Sequence, residues 1–330
     1  MSKSISVLHI LSDGYFHSGQ SIGTALDVSR AAVWKTITKI RDDWQVDIQS
    51  IRGKGYRING GLNLLNANKI RALIPDDVQS KINTLEILTS VESTNQYLLK
   101  KSVNSDVKQG HIVLAEHQIS GRGRRGRTWS SPFGRNLYIS ALFEFVENTS
   151  GLSSLSPVIA IIVLRVLKRA GIQDAGLKWP NDIHWQGRKL CGILLEMKGE
   201  ITGIWNIVVG IGLNVNMPRE NNNEITQPWT SLQQIMGIPV ERNLLIADII
   251  SELIRVMENY PVNGMEQFRD EWNSNDLAYN KKVKLHTPQG ELMGIARGVD
   301  DQGALLLEVD GVLQHYHAGE VSLRYNDSVC

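Results

Sequence analysis

Residues 121–127 read Gly-Arg-Gly-Arg-Arg-Gly-Arg, and Thr128 and Trp129 follow. Four arginines and three glycines in seven residues suit an anion. Each guanidinium is a planar fork of donors that matches a carboxylate or phosphate. Each glycine lets the backbone take positive φ and approach a ligand closely. The loop repels itself and has no apolar residue to anchor it, so it is expected to stay poorly ordered until an anion arrives. Gly121, Gly123 and Gly126 also satisfy G-x-G-x-x-G, a dinucleotide fingerprint. That fingerprint must open a helix. Here Ser130-Ser131-Pro132-Phe133-Gly134 follows, then a strand pattern, which excludes the reading. A second near-match, Gly210-Ile211-Gly212, sits inside a strand pattern. No G-x-x-x-x-G-K-[ST] loop occurs, so any ATP is held another way.

Two further groups carry chemistry. Lys178-Trp179-Pro180-Asn181-Asp182 reads either as the rim of an active site or as an ordinary Asn-Asp turn. Arg188-Lys189-Leu190 opens an apolar strand at 191–195. Lys189 there either presents an ammonium to a site or snorkels to solvent.

These residues need a scaffold, and 330 residues leave room for two or three domains. The net charge of +1 gives no global pull toward nucleic acid or membrane. Residues 1–60 hold eight Lys/Arg against five Asp/Glu, a local excess of three positive charges, so the remainder is net negative by two. That bias is compatible with a DNA-binding module. Cys191 and Cys330 form no disulfide framework or zinc site and point to a reducing compartment. The N-terminus lacks a signal-peptide apolar region. The most apolar stretch, 158–167, contains Arg165 and falls short of the roughly 20 residues a span needs. A cytoplasmic protein without a membrane anchor is expected.

Helical spacing runs over 5–12, then 18–26 capped by Ser18, then 30–42 capped by Ser29, with Ala31, Val33, Ile37 and Ile40 as its apolar face. Strand patterns at 46–48 and 56–58 flank Gly53-Lys54-Gly55. Three helices and a hairpin make a winged helix-turn-helix. Arg30, Lys35 and Lys39 would face the groove or phosphates, and Arg52, Lys54 and Arg57 the wing. A small helical domain with a solvated basic face is the competing reading. The order of helices, short turn and basic hairpin favours DNA. Residues 60–75 read as a linker running into a short helix. Strands at 85–88, 111–116, 136–145, 176–178, 189–197 and 207–214 then alternate with helices from 93, at 155–170 and at 243–259. That predicts a mixed sheet with covering helices. From 281 short strands at 283–285, 292–297, 304–309 and 312–317 alternate with turns and suggest a small barrel. The expected class is α+β and multidomain, divided as 1–62, 63–276 and 277–330.

The groups combine in a telling order: Ser93-Thr94-Asn95, Gln118, the arginine loop with its trailing Trp-Ser-Ser-Pro-Phe-Gly and Asn-Leu-Tyr, Lys178–Asp182, Arg-Lys-Leu-Cys-Gly-Ile-Leu from Arg188, and Gly210–Asn214. Gly-Ala-Leu-Leu-Leu-Glu at 303–308 and Gly-Glu-Val-Ser-Leu-Arg at 319–324 complete it. Over the whole chain this resembles the bifunctional biotin protein ligases that also repress biotin synthesis genes. The resemblance implies an SH3-like C-terminal barrel and a two-step reaction. Biotin's carboxylate attacks the α-phosphate of ATP, giving biotinyl-5′-adenylate and pyrophosphate. A lysine of the biotin carboxyl carrier protein of acetyl-CoA carboxylase then attacks the mixed anhydride. Mg2+ is expected with ATP, without a dedicated protein metal cage.

The resemblance also implies residue roles. Ser93, Thr94, Asn95 and Gln118 bind biotin, together with Arg122, Gly123, Arg124 and Lys189. Gly121, Arg125, Gly126, Arg127, Trp129, Lys178, Asn181, Asn214, Trp229 and Arg324 serve the adenylate or ATP. Lys189, Arg124 and Asp182 are the catalytic set, with Asp182 orienting and helping to deprotonate the incoming lysine. The segment 217–229 closes over adenine. Ser29, with the basic residues of the third helix and wing, serves operator DNA. Adenylate orders the arginine loop, which supports a homodimer that reads a two-fold operator. Three alternatives stay open: a ligase whose helix-turn-helix no longer binds DNA, a non-catalytic biotin-sensing transcription factor, and a lipoate ligase.

Overall fold

The computed structural model describes residues 2–103, 107–145, 152–198, 205–218, 225–288, 290–318 and 321–325. The first 58 residues form α1 (Lys3–Leu11), α2 (Gly19–Leu26), α3 (Arg30–Trp44) and the hairpin β1 (Ile48–Ile51) and β2 (Gly55–Ile58). The Ser18 and Ser29 hydroxyls accept the N–H groups of Ser21 and Ala32, as the capping pattern predicts. Asp27, at φ 50°, ends α2 in the left-handed region. Val33, Ile37 and Ile40 of α3 are buried in one cluster with Val7, Leu8, Leu11 and Ile22. The hairpin starts later than the 46–48 pattern suggests. Gln45 takes φ 51° after α3, and the ladder begins only at Ile48.

A linker leads into α4 (Ala67–Leu73) and α5 (Asp76–Gln79). The core that follows contains β3 (Thr84–Leu88), α6 (Thr94–Val103), β4 (His111–Ala115), β5 (Leu137–Phe145), α7 (Leu155–Arg169), β6 (Ala175–Lys178), β7 (Asp182–Trp185), β8 (Arg188–Lys198) and β9 (Trp205–Leu213). The strands form one seven-stranded sheet in the order β3-β4-β5-β9-β8-β7-β6. Only β3 and β4 run parallel; every other pair is antiparallel. The mixed sheet is therefore as expected, with one strand more than the sequence pattern revealed, β7. Four residues, Asp-Ile-His-Trp, are too few to show a period of two. The arginine loop joins β4 to the antiparallel β5 and opens no long helix, in keeping with the exclusion of a dinucleotide turn. α7 is apolar nearly all round because it lies between the sheet and α9 (Arg242–Asn263). Short helices α8 (Leu232–Met236) and α10 (Arg269–Asn275) flank α9 in sequence.

The C-terminal part is β10 (Lys282–Thr287), β11 (Gly290–Val299), β12 (Leu305–Val309), β13 (Val312–Tyr316) and β14 (Ser322–Tyr325). They make a five-stranded antiparallel sheet in the order β13-β12-β11-β10-β14. A register shift between Ala296 and Val299 bends β11. Among the described residues no helix is long and apolar enough to cross a membrane.

Candidate functional site

A cleft of about 1770 Å³ opens over the middle of the seven-stranded sheet. Its floor is β5, β8 and β9, and its walls are the start of α6, the arginine loop, the 178–182 turn and residues 225–229. Asp43–Asp47 from the winged domain and Val321 and Leu323 from the C-terminal sheet also line it.

Glycines shape the floor. A Cβ on Gly210 would lie 2.3 Å from Asn95 Oδ1, and one on Gly212 would lie 2.6 Å from the Trp129 ring. The G-x-G inside β9 thus exists to seat α6 and Trp129 directly on the sheet. Asn95 fixes that contact with its amide: it donates to the Leu194 carbonyl at 3.1 Å and accepts from Ser140 at 2.6 Å. Asn95 thus braces the scaffold while its side chain also lines the cleft. Ser93 is buried beside it. The Thr94 N–H and hydroxyl both donate to Gln118 Oε1, at 3.0 and 3.1 Å. Gln118 Nε2 donates to Ser131 Oγ at 3.0 Å, and Ser131 donates to the Trp129 carbonyl at 3.1 Å. One polar chain therefore links the start of α6 to the far side of the arginine loop.

The loop is not unanchored. The Gly123 N–H donates to the Arg127 carbonyl at 2.7 Å, and the Trp129 N–H to the Gly121 carbonyl at 2.8 Å. Arg125 at φ 57° and Gly126 at φ 72° make the tip. Arg124 supplies the anchor that apolar residues do not. Its guanidinium donates to Asn181 Oδ1 at 3.1 Å and to the Ala318 carbonyl. Arg122 lies against the Gln96 side-chain amide, whose oxygen accepts from it once the amide is turned to satisfy both groups, and 4.0 Å from Glu196. Arg125 and Arg127 are exposed. Arg124 alone of the four arginines is half-buried, a difference that seven consecutive letters do not show.

Lys189 is the second cation. Its Nζ lies 2.9 Å from Asp182 Oδ1 and 5.3 Å from the Trp129 ring centroid. Burial raises the Asp182 carboxyl, but the Lys189 ammonium beside it outweighs burial and holds the group well below the usual carboxylate range. Burial lowers the Arg124 guanidinium from its ordinary value, and the Asp182 charge partly restores it. Lys178 pairs with Asp182 across β6 and β7, and Trp179-Pro180 between them is a cis peptide. Asn181 donates to the Ile193 carbonyl at 2.5 Å, so the turn is tied to β8. The backbone of Lys189 pairs with residues 228–230: its N–H donates to the Pro228 carbonyl, and it accepts from the Thr230 N–H, both at 2.9 Å. This carries Trp229 to the cleft. Asn214 donates to the Thr230 carbonyl at 3.0 Å, a scaffold contact on the expected adenylate side. Cys191 is buried, and burial pushes its thiol far up.

Some expected residues fall elsewhere. Arg324 pairs through its backbone with Lys284, while its side chain lies outside the described residues. Residues 219–224 of the adenine-closing segment and Cys330 also lie outside them. In the winged domain Arg30, Lys35, Lys39, Arg52 and Lys54 are exposed. Arg57 is half-buried, with its guanidinium 4.5 Å from the Phe16 ring and bonded to Gln49 at 2.8 Å. Ser29 caps α3 and is exposed at its N-terminus. Sequence reasoning missed Trp34, 56% exposed beside Lys35, although an aromatic among cations on the third helix is a visible signal. It also missed His184, which lines the cleft. Phe133, four residues past Trp129, stacks on Trp44 at the end of α3 with ring centroids 4.8 Å apart.

Comparison with known proteins agrees with this layout. Residues 87–214 match the Biotin/lipoate A/B protein ligase family, 279–324 the Biotin protein ligase C terminal domain, and 3–57 an HTH domain. The chain is 40% identical over 320 residues to the bifunctional ligase/repressor BirA of Escherichia coli, covering 97% of each. It is 32% identical to the Bacillus subtilis protein of that name, covering 93% of this chain and 94% of that one. Biotin protein ligase from Aquifex aeolicus, solved with biotin and ATP, aligns with a TM-score of 0.65 at 29% identity, covering 74% of this chain and all of that one. The chain belongs to the family of bifunctional biotin protein ligases and repressors.

Proposed function

We propose that the protein makes biotinyl-5′-adenylate from biotin and ATP, transfers the biotinyl group to a lysine of a biotin carboxyl carrier protein, and represses biotin synthesis genes when the adenylate is bound. The observation that carries the reading is the convergence of Arg124 and Lys189, from separate elements, on one cleft beside Asp182. Adenylation brings a carboxylate against a polyphosphate. Two fixed cations in a partly dry cleft offset that repulsion and stabilise the charge that develops as pyrophosphate leaves. Mg2+ enters with the ATP phosphates.

The Thr94–Gln118–Ser131 chain offers hydrogen-bond groups for the ureido end of biotin. Trp129 and Trp229 flank the adenylate side. In the second step the carrier lysine attacks the mixed anhydride and AMP leaves, with Asp182 orienting the amine. The adenylate phosphate competes for Arg124, which otherwise bonds Asn181 and Ala318. The loop would then rearrange and present a surface for a second copy, giving a homodimer whose two winged domains read a two-fold operator in the cytoplasm. The whole-length likeness to proteins named as ligase and repressor supports both halves.

The test is ATP/pyrophosphate exchange dependent on biotin, with lipoate as control. Exchange with biotin alone is the expected result, and exchange with lipoate alone overturns the substrate. Operator affinity at fixed salt should rise when biotin and ATP are both added. Unchanged affinity overturns the switch.

A further inference from the structure

β7 turns a third side chain toward the Lys189–Asp182 pair. His184 is 6% exposed. It follows Asp182 by two residues, so both lie on one face of the strand, and its ladder partner on β8 is Lys189. His184 Nε2 lies 3.9 Å from Asp182 Oδ2, too far for a hydrogen bond, and has no hydrogen-bond partner among the described residues. Nδ1 lies 3.4 Å from the Gly187 carbonyl oxygen. A carbonyl only accepts, so Nδ1 carries the proton of the neutral ring and Nε2 presents a lone pair. That lone pair faces a carboxylate, which is also an acceptor. A proton delivered between them turns a repulsive contact into a charge-assisted hydrogen bond.

The charged groups around the ring are Asp182 on its own strand, Lys178 on β6 and Lys189 on β8, with Arg124 beyond Asp182. On the β6 side its ladder partner Gly176 is covered by the apolar Leu277 side chain. Burial, then the two lysines, hold the imidazole below its ordinary range against the pull of Asp182. The neutral ring offers its Nε2 lone pair, and the adjacent Asp182 carboxylate is what favours the protonated form. Asp182 alone is a poor acceptor, because Lys189 stabilises its ionised form.

We propose that His184 is the terminal proton acceptor of the transfer step and draws the carrier lysine's proton through Asp182. The inference rests on the ligase reading above. One N–H bond of the lysine ammonium breaks, and its proton passes over the Asp182 carboxylate to Nε2, leaving Asp182 ionised. The neutral amine attacks the biotinyl carbonyl carbon. The C–N bond forms, the C–O bond to phosphate breaks, and AMP leaves with the electron pair. The second nitrogen proton goes to water, and the imidazolium returns its proton to solvent before the next turnover. His184 touches neither biotin nor nucleotide, so it is a positioning residue acting through Asp182.

The two half-reactions separate this role from a structural one. H184Q keeps a polar group of similar reach that cannot take a proton. In the full chain, biotin-dependent exchange should change by less than about threefold. Single-turnover transfer from isolated biotinyl-adenylate to a carrier-domain lysine should fall about a hundredfold near neutral pH, within the range for proton-transfer catalysis. The deficit should shrink as pH rises and the lysine deprotonates unaided. With hydroxylamine, an amine largely unprotonated at neutral pH, H184Q and the natural protein should transfer at equal rates. Equal transfer to lysine at every pH, or equally slowed transfer to both nucleophiles, overturns the relay. Absence of exchange in the natural protein would overturn the ligase reading instead. If H184Q loses exchange, H184Y is measured, and loss in both overturns the relay because His184 then serves the first step or the fold.

Discussion

The C-terminal sheet buries Val283, Leu285, Val299, Leu305 and Leu307 in the same apolar cluster as α7 and α9, whereas the winged domain keeps Val7, Leu11, Val33 and Ile37 in a cluster of its own. One appendage shares the catalytic core. The other is joined to it by a narrow seam, the Phe133–Trp44 stack and Leu62 over Gly134, and the linker that follows is tied to the core by a buried polar knot. In that knot Arg242 bonds Glu116 at 2.6 Å, the Asn63 carbonyl and the Asn136 carbonyl, while Glu116 accepts from the Leu65 N–H at 2.6 Å. A shared core resists displacement, because moving it exposes apolar area at about 25 cal/mol per Å². A seam of few contacts can change its angle at lower cost. The appendage that has to adjust to DNA is the one held by the seam, and the one that supplies cleft walls at Val321 and Leu323 is held by the core.

The largest expected effect tests the buried charge that ties down the linker beside the seam. Glu116→Ala leaves Arg242 buried without its partner and should cost about 3–5 kcal/mol in urea unfolding. A loss under about 1 kcal/mol would mean that the knot contributes little and the linker is held otherwise. Leu307→Ala, in the shared cluster, should cost about 2–5 kcal/mol and lower the unfolding midpoint of the ligase core with it. A separate early transition of the C-terminal sheet would break the contrast between the appendages. Arg124→Gly removes the guanidinium that the adenylate phosphate would take from Asn181 and Ala318, a charge-assisted contact of about 1.5–3 kcal/mol. Release of free biotinyl-adenylate should rise roughly 10- to 150-fold, the same energy expressed as a ratio. Retention equal to the natural protein's would take Arg124 out of the clamp. The smallest effect is Phe133→Leu, which keeps apolar bulk and loses the stack, about 0.5–1.5 kcal/mol. Amide exchange in α1–α3 should speed up while the central strands β5 and β9 stay protected. Equal acceleration in both would show that the seam does not separate the two units.

Much of this was readable in one dimension because its causes are local. Ser18 and Ser29 cap helices three residues away, and the apolar period of α3 is a property of fifteen consecutive residues. The cation groups at 121–127 and 188–189 are likewise continuous in the chain. Partners far apart were not readable. Arg124 and Ala318 are separated by 194 residues, and Asn95 and Leu194 by 99. Without those contacts the arginine loop reads as free, and the part Asn95 plays in the scaffold is invisible. β7 is a strand because β6 and β8 pair with it on either side, and His184 faces Asp182 only because that strand exists.

Residue type and spacing by themselves determined the family, the reaction class and the basic groups for two anions, because those follow from side-chain chemistry repeated in a recognisable order. The tertiary structure alone decided which arginine of the loop turns inward, which polar residues brace the scaffold, and which appendage shares the core. Each of those depends on pairing between distant segments, where burial sets the cost of leaving a polar group unpaired.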